Sequence, residues 1–473
     1  RQRGESRRVG GREYRRNQGW KSHRMGYRSA MLPDRHPGAT DLPELRAAWP
    51  PAVPGETRGY RPLDLAGTQP VALCDLGEGR FVVVVEWPSE ALTALPCVRA
   101  GVTWRVAGAG DGVALTVLAG LESPGWQLPS GFELRRYDTR PFVPGDERAL
   151  GTDQSNISVV VGDRAIVKWR SATDADGRRA TRLRRHVQAN GFSRTPPLLA
   201  SLAWADAAEQ TWILADVDEL LHEATDGWDD GIERLRSVLA SPGADDMSYA
   251  RSLGRLTAEL HTALLAASAV ITRPTRAATP EEMIDIRTAG LDLLERTVAI
   301  DAEDRVEVVD RAPLLRAAIE GTPGDTTTLG PIHGDLHIGQ LVAWRGGLDV
   351  IDFDGAPHPT APAGDLDAPA RDVAQMLCSL WSLAAVVDQR TDGAQAERLR
   401  AWAALAESAF LVSYRAGLAM TDHDSFDERM LEPLMAEQIC RELLYAEATL
   451  PRWRYAPLQA LRWRYPLRHD DDD

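Results

Sequence analysis

The sequence predicts an α+β fold, with a β-rich first half, an α-helical second half and a short β-like insert between two groups of helices. Two observations carry this. Up to about residue 220, apolar residues come in short runs or strict alternation punctuated by Gly and Pro, the pattern of strands and turns. From about residue 228 they recur at helical spacing, except over 330–354.

The elements follow in chain order. Residues 1–31 hold ten Lys or Arg and two Asp or Glu and show no hydrophobic period. They are expected to be an extension outside the fold, and Met25 and Met31 are both plausible starts. Residues 32–145 read as a β-rich subdomain, with a buried strand over 81–85 and alternation over 102–106 and 113–118. Residues 146–220 continue with strands at 156–161 and 165–169 around the turn Gly162-Asp163-Arg164. A basic helix at about 174–189 and a strand pair running through 212–215 complete this part. Residues 221–473 read as mostly helical, with helices near 249–267, 280–300, 371–387, 396–415 and 432–448. The final Asp470–Asp473 run reads as a solvated tail.

Composition excludes several function classes. At 44% hydrophobic and 26% charged the chain is ordinary for a globular protein. The net charge is −15; since the first 31 residues carry +8, the other 442 carry −23. Such a body repels nucleic acid and anionic membrane, so neither is an expected partner. The longest apolar runs fall far short of the ~20 residues of a membrane span, and no apolar segment follows the Arg-rich start as in a signal peptide. Cys74, Cys97, Cys378 and Cys440 form no C-x-x-C pair and read as small buried hydrophobes of a reduced cytoplasmic protein. A monomer is expected.

The chemistry is concentrated in Ile332-His333-Gly334-Asp335-Leu336-His337-Ile338-Gly339-Gln340, followed by Val350-Ile351-Asp352-Phe353-Asp354-Gly355. Phosphoryl transfer from ATP needs a carboxylate to accept the hydroxyl proton and hard oxygen ligands for Mg²⁺. Asp335 followed five positions later by Gln340 has the spacing of a kinase catalytic loop, with Gln in the usual Asn place. Asp352 lies 17 residues after Asp335, room for a hairpin over 341–351 that would return the second carboxylate beside the first. Upstream, Lys168 ends the apolar strand Ala165-Ile166-Val167-Lys168, the position of a phosphate-binding lysine. The loop before it, Gly151-Thr152-Asp153-Gln154-Ser155-Asn156, lacks G-x-G-x-x-G, but its small polar residues could offer backbone N–H groups to phosphates.

These pieces, with Leu253–Leu264 and Arg371-Asp372-Val373-Ala374, make the chain from roughly 40 to 460 resemble the aminoglycoside phosphotransferase-like kinases and, within them, the maltokinase-like group. The resemblance implies a bilobal protein kinase-like fold with a β-rich N-terminal cap and N-lobe and a mostly α-helical C-lobe. The cap would be 32–145, the N-lobe 146–220 and the C-lobe 221–473. It further implies Asp335 as catalytic base, Gln340 and Asp352 as magnesium ligands, and Lys168, Gln154, Ser155 and Asn156 on the ATP phosphates. Ala215 to Asp218, with Ala215 and Val217 as contacts, would be the hinge for adenine. One departure stands out: such kinases pair the lysine with a helix Glu, whereas the helix after Lys168 contains none, leaving Asp174, Asp176 or a residue from elsewhere.

The acceptor reading rests on Gln438-Ile439-Cys440-Arg441-Glu442-Leu443-Leu444-Tyr445 and Leu450-Pro451-Arg452-Trp453-Arg454-Tyr455-Ala456-Pro457. On a helix Gln438, Arg441, Glu442 and Tyr445 share one face, offering carboxylate, amide and ring to a sugar. The same residues make an ordinary amphipathic helix. The run resembles the C-terminal signature of the glucosamine kinases. By that likeness Glu442 would bind the substrate ammonium, with Asp354 or Glu437 as alternates. Gln438 and Tyr445 would contact hydroxyls, and Trp453 would wall the pocket. The expected reaction is ATP- and Mg²⁺-dependent phosphorylation of glucosamine, at the 6-hydroxyl. The alternatives are a maltokinase forming maltose 1-phosphate, an aminoglycoside phosphotransferase, and a pseudokinase acting as a binding module.

Overall fold

Strand alternation sorts the first half of the chain into two sheets that share one core. A computed structural model describes residues 41–52, 65–88, 91–143, 145–150, 157–170, 179–240, 247–356, 366–420 and 425–467. After the short helix α1 (Asp41–Ala47) come β1 (Gln69–Gly77), β2 (Arg80–Glu86), β3 (Leu92–Ala100) and β4 (Thr103–Val106), an antiparallel meander. The valines of β2 are all buried, as in a strand covered on both faces. Helix α2 (Val113–Leu121) follows.

The second sheet has the order β5-β9-β10-β8-β7-β6, from β5 (Phe132–Arg136), β6 (Glu147–Ala149), β7 (Ile157–Val161), β8 (Ala165–Trp169), β9 (Leu198–Ala205) and β10 (Thr211–Glu219). Every pairing is antiparallel. Successive side chains of a strand point to opposite faces. On β8 that sends Ala165, Val167 and Trp169 into the core shared with the first sheet, and on β10 it sends Ala215 and Val217 there. Lys168, Asp216 and Asp218 fall on the opposite face. There helix α3 (Arg179–Ala189) docks through Arg184 on Asp218 at 2.5 Å and Thr181 Oγ1 on Asp216 at 2.8 Å.

The apolar side of α3 (Ala180, Leu183, Val187) joins the second, helical core. That core is built by α4 (Gly227–Ala240, after the two-residue strand β11, Thr225–Asp226), α5 (Ser248–Leu265), α6 (Pro280–Val298) and α7 (Arg305–Glu320). It is completed by α8 (Ala370–Gln389), α9 (Ala396–Leu418), α10 (Leu431–Thr449) and α11 (Tyr455–Arg464). Short strands interrupt it: β12 (Arg276–Ala277) and β16 (Leu366–Asp367) flank β13 (Thr328–Pro331), while β14 (Leu341–Trp344) and β15 (Gly347–Val350) form a hairpin beside β11. Helix α8 is long and apolar enough to cross a membrane by length and composition, but its apolar window is wholly buried here, as the central helix of the core.

The structure corrects one expected strand. Residues 113–118 are the start of α2. Val113, Ala114, Val117 and Leu118 are its buried face, at helical spacing, and the alternation of V-x-L-x-V misled. The Glu147 carboxylate accepts from the N–H groups of Gly110, Gly112 and Leu115, each at 2.8 Å, and thereby satisfies the helix start. Helices α4, α7 and α11 lie in the stretch expected to be helical without individual bounds, whereas α1 falls in the stretch expected to be β-rich. The first 40 residues, the loop holding Gln154, Ser155 and Asn156, Asp174 and Asp176, and the acidic tail lie outside the described residues.

Candidate active site

The catalytic-loop sequence leaves β13 and is held open by one face of α8. Asp372, Gln375 and Ser379, at helical spacing, take up its backbone donors. Asp372 accepts from the N–H of His333 (2.7 Å) and of Gly334 (2.8 Å), the Gln375 side-chain oxygen from Leu336 N–H (2.9 Å), and Ser379 Oγ from Ile338 N–H (2.9 Å). Gln375 Nε2 returns a bond to Gly334 O at 3.0 Å. Gly334 sits at φ 85°, where a side chain would be strained, and its missing Cβ leaves room for Arg179 at 3.1 Å. Asp372 is fully buried; burial would raise its pKa, but His261, His333 and the Gly334 amide outweigh that and lower it. His261 Nε2 lies 3.1 Å from Asp372 and its Nδ1 2.7 Å from the Tyr414 hydroxyl.

The β14–β15 hairpin turns at Arg345 and Gly346, both at positive φ, as a two-residue turn requires. It brings Ile351 N–H to within 2.9 Å of Gln340 O, so Asp352 follows directly beside the catalytic loop. Asp352 has φ 63°, a costly conformation for a non-glycine residue and one expected at functional positions. Lys168 Nζ crosses to Asp352 Oδ1 at 2.6 Å and to Asp354 Oδ2 at 3.5 Å. Burial pushes the Asp352 pKa up, but the Lys168 charge and hydrogen bond outweigh it and lower it. The question left by the missing helix Glu is thus answered among the described residues: the carboxylates of Lys168 come from the 352–354 loop.

Asp335 and Gln340 meet, Gln340 Nε2 donating to Asp335 Oδ2 at 3.1 Å, which leaves the amide oxygen of Gln340 as a hard donor. Burial would raise the Asp335 pKa, but His337, His333 and Gln340 overcome it and hold it at about 2. His337 Nδ1 accepts from Gly339 N–H at 3.0 Å, so its proton sits on Nε2, 3.7 Å from Asp335. Although burial opposes it, the His337 pKa is raised by Asp335, Glu442 and Asp352. His333 is buried and its pKa lowered, and its Nε2 donates to Ile351 O at 2.9 Å, joining the two loops.

On α10, Glu442 and Gln438 form one unit. Gln438 Nε2 donates to Glu442 Oε1 at 3.2 Å and Ser382 Oγ to Oε2 at 3.3 Å, while the Gln438 amide oxygen is buried without a protein partner. Burial raises the Glu442 pKa, only partly relieved by Gln438, His337 and Ser382; nearby Asp335 raises it further. Asp335 and Glu442 are therefore close enough to sense each other.

Other expected contacts are not brought together. Ala215 and Val217 are corrected as hinge residues. They face the shared sheet core, fully buried, and each is paired on both sides, to Trp169 and Leu202 and to Val167 and Ala200. Tyr445 is 40% exposed. Arg441 donates to Glu437 at 2.5 Å, and Trp453 stacks on Tyr455 at 6.1 Å. Glu437 is corrected as an alternate for the amine, because Arg371 at 2.7 Å and Arg441 already neutralise it. Asp354 is likewise taken, by Arg170 and Lys168. Sequence reasoning assigned no role to His337, Asp372, Gln375, Ser379, Arg170 or Arg179. His337 was signalled by the second histidine of H-G-D-L-H, and Asp372 by R-D-V-A.

The comparisons point one way. The chain is 34% identical over 451 residues to a glucosamine kinase of Streptacidiphilus jiangxiensis, spanning 90% of this chain and 99% of that protein. It is 34% identical over 400 residues to one of Mycolicibacterium smegmatis, spanning 82% and 96%. Among solved structures, a crystal form B of a glucosamine kinase superposes with a TM-score of 0.74 at 31% identity, over 91% of this chain and all of that one. A glucosamine kinase in complex with glucosamine, ADP and inorganic phosphate gives 0.72 at 32% identity, over 91% and 100%. No family model matches the chain.

Proposed function

The chain belongs to the glucosamine kinases, and we propose that it moves the γ-phosphoryl group of ATP to the 6-hydroxyl of glucosamine through the residues around Asp335. The observation that carries the acceptor assignment is Glu442. It is a buried carboxylate whose hydrogen-bond partners, Ser382 and Gln438, are neutral, and it lies within electrostatic reach of Asp335. A buried carboxylate of this kind gains most from a cation. An ammonium sugar supplies one, while its hydroxyls can satisfy the unpartnered Gln438 oxygen.

In this reading Asp335, kept ionised by His337, accepts the proton of the acceptor hydroxyl. Lys168, swung from Asp352, holds the phosphates. His333 stays neutral and keeps the two loops in register. Gln340 and Asp352 would hold magnesium. Their oxygen atoms are the hard donors it requires, and two protein ligands leave the remaining positions to phosphate and water. Magnesium, when bound, neutralises phosphate charge. The division into cap, N-lobe and C-lobe at 145 and 220, the reduced cytoplasmic setting and the monomeric state belong to the same reading. The test is ADP release with ATP and Mg²⁺ over glucosamine, N-acetylglucosamine, glucose and maltose. Glucosamine should be preferred; preference for maltose would replace this reading with a maltokinase.

A further inference from the structure

Arg170 follows directly after β8, two residues beyond Lys168 and on the same side of the strand. Its backbone is fixed twice: its N–H donates to Leu214 O on β10 and its carbonyl accepts from Ala94 N–H on β3, both at 3.0 Å. Its side chain is 8% exposed and forms ion pairs with two carboxylates, Asp216 on β10 and Asp354 in the loop after Asp352. Asp216 is itself 1% exposed and also accepts from Thr181 of α3 at 2.8 Å. On the other side of Asp354, Arg179 at the start of α3 donates to Phe353 O at 2.7 Å and Ile332 O at 2.8 Å.

The polarity of this arrangement is informative. Over its described span α3 carries no acidic residue. Its contacts with the sheet run from Thr181 and Arg184 on the helix to Asp216 and Asp218 on the strand. Among the described residues the carboxylates on Lys168 come from the 352–354 loop, and the strand carboxylates hold arginines. Lys168 stands directly opposite Asp216 in the ladder yet reaches across to Asp352, and Asp216 pairs instead with Arg170.

We infer that Arg170 is a positioning residue: by tying Asp354 to Asp216 it fixes the Asp352 loop against the N-lobe sheet, and so sets the geometry in which Asp352 and Lys168 receive a magnesium nucleotide. The inference rests on the kinase reading above. When phosphates draw Lys168 away from Asp352, the Arg170–Asp354 pair still links the end of β8 to the loop.

The experiment is a double-mutant cycle on the full chain with Arg170→Met, Asp354→Asn and both together. ADP affinity is measured by calorimetry with and without Mg²⁺, alongside melting temperature and steady-state kinetics. Each single change should weaken ADP binding in Mg²⁺ by about ten- to a hundred-fold, as loss of an outer-shell partner does, and the double change should weaken it no further. ADP binding without Mg²⁺ and the KM for glucosamine should move far less. Multiplicative losses in the double variant, or a lower melting temperature with unchanged affinity in Mg²⁺, would overturn the inference. Should Arg170→Met not fold, Asp354→Asn decides alone: unchanged affinity in Mg²⁺ sinks the proposal. If the wild-type chain binds ADP with Mg²⁺ but ignores glucosamine, the acceptor reading fails while this cycle remains interpretable.

Discussion

At the scale of single residues, Asp335 and Glu442, the two carboxylates proposed to face the acceptor, differ in a way that pH can read. Asp335 is held at about 2 and stays ionised through mildly acidic conditions. The Glu442 pKa is raised by burial, so Glu442 takes up its proton first as pH falls. A protonated Glu442 cannot pair with an ammonium. We therefore expect kcat/KM for glucosamine to drop on the acid side through Glu442, chiefly in KM, and this limb to vanish in Glu442→Gln. An acid limb unchanged in that variant would assign it elsewhere. Asp335→Asn should lower kcat by about 10²–10⁴-fold, the usual contribution of a general base, while ADP binding measured by calorimetry changes little. The motif residues themselves were legible because their chemistry fixes both type and spacing. Arg170 and Arg179 were not, since an arginine beside a strand or at a helix start looks like solvated charge until the loop it grips is in place.

Among the elements, α8 governs the loop. Its residues Asp372, Gln375 and Ser379 replace the backbone partners that a strand or helix would have supplied to residues 333–338. Asp372→Asn keeps the shape but turns a donor toward one of the two N–H groups, Gly334 on one oxygen or His333, with His261, on the other. Loss of charged hydrogen bonds of this kind costs about 1.5–3 kcal/mol each, so melting temperature and kcat should fall together. A variant with wild-type kcat would show that the loop is held by other means. The hairpin after Gln340 was legible from loop length, but its turn is only Arg345–Gly346, with Gly347 already paired to Trp344. Residues 113–118 were not, because V-x-L-x-V satisfies both a strand and a short helix, and what decides is Glu147 on the helix start, 32 residues away from Leu115.

For the whole molecule, the first sheet is not an appendage. It and the second sheet bury one common core, and Glu147 of β6 satisfies three N–H groups at the start of α2. Glu147→Ala should cost roughly 1–3 kcal/mol by leaving those donors to water or unpaired, read as a lower melting temperature with KM for glucosamine unchanged. A KM that moved with stability would mean that strain at α2 reaches the proposed acceptor site. The division into a β-rich and a helical half was readable from hydrophobic period. The sharing of α3 was not: its basic sequence hides that Ala180, Leu183 and Val187 join the helical core while Thr181 and Arg184 grip the sheet.

The central claim is that Glu442 reads the amine of the acceptor. The most direct measurement is the ratio of kcat/KM for glucosamine over glucose in wild type and in Glu442→Gln, with ATP and Mg²⁺ saturating. Losing a buried charge-assisted contact of about 1.5–3 kcal/mol should shrink that ratio by roughly ten- to a hundred-fold, almost entirely through glucosamine. A variant that keeps the wild-type ratio would contradict the account and place recognition of the amine on another residue.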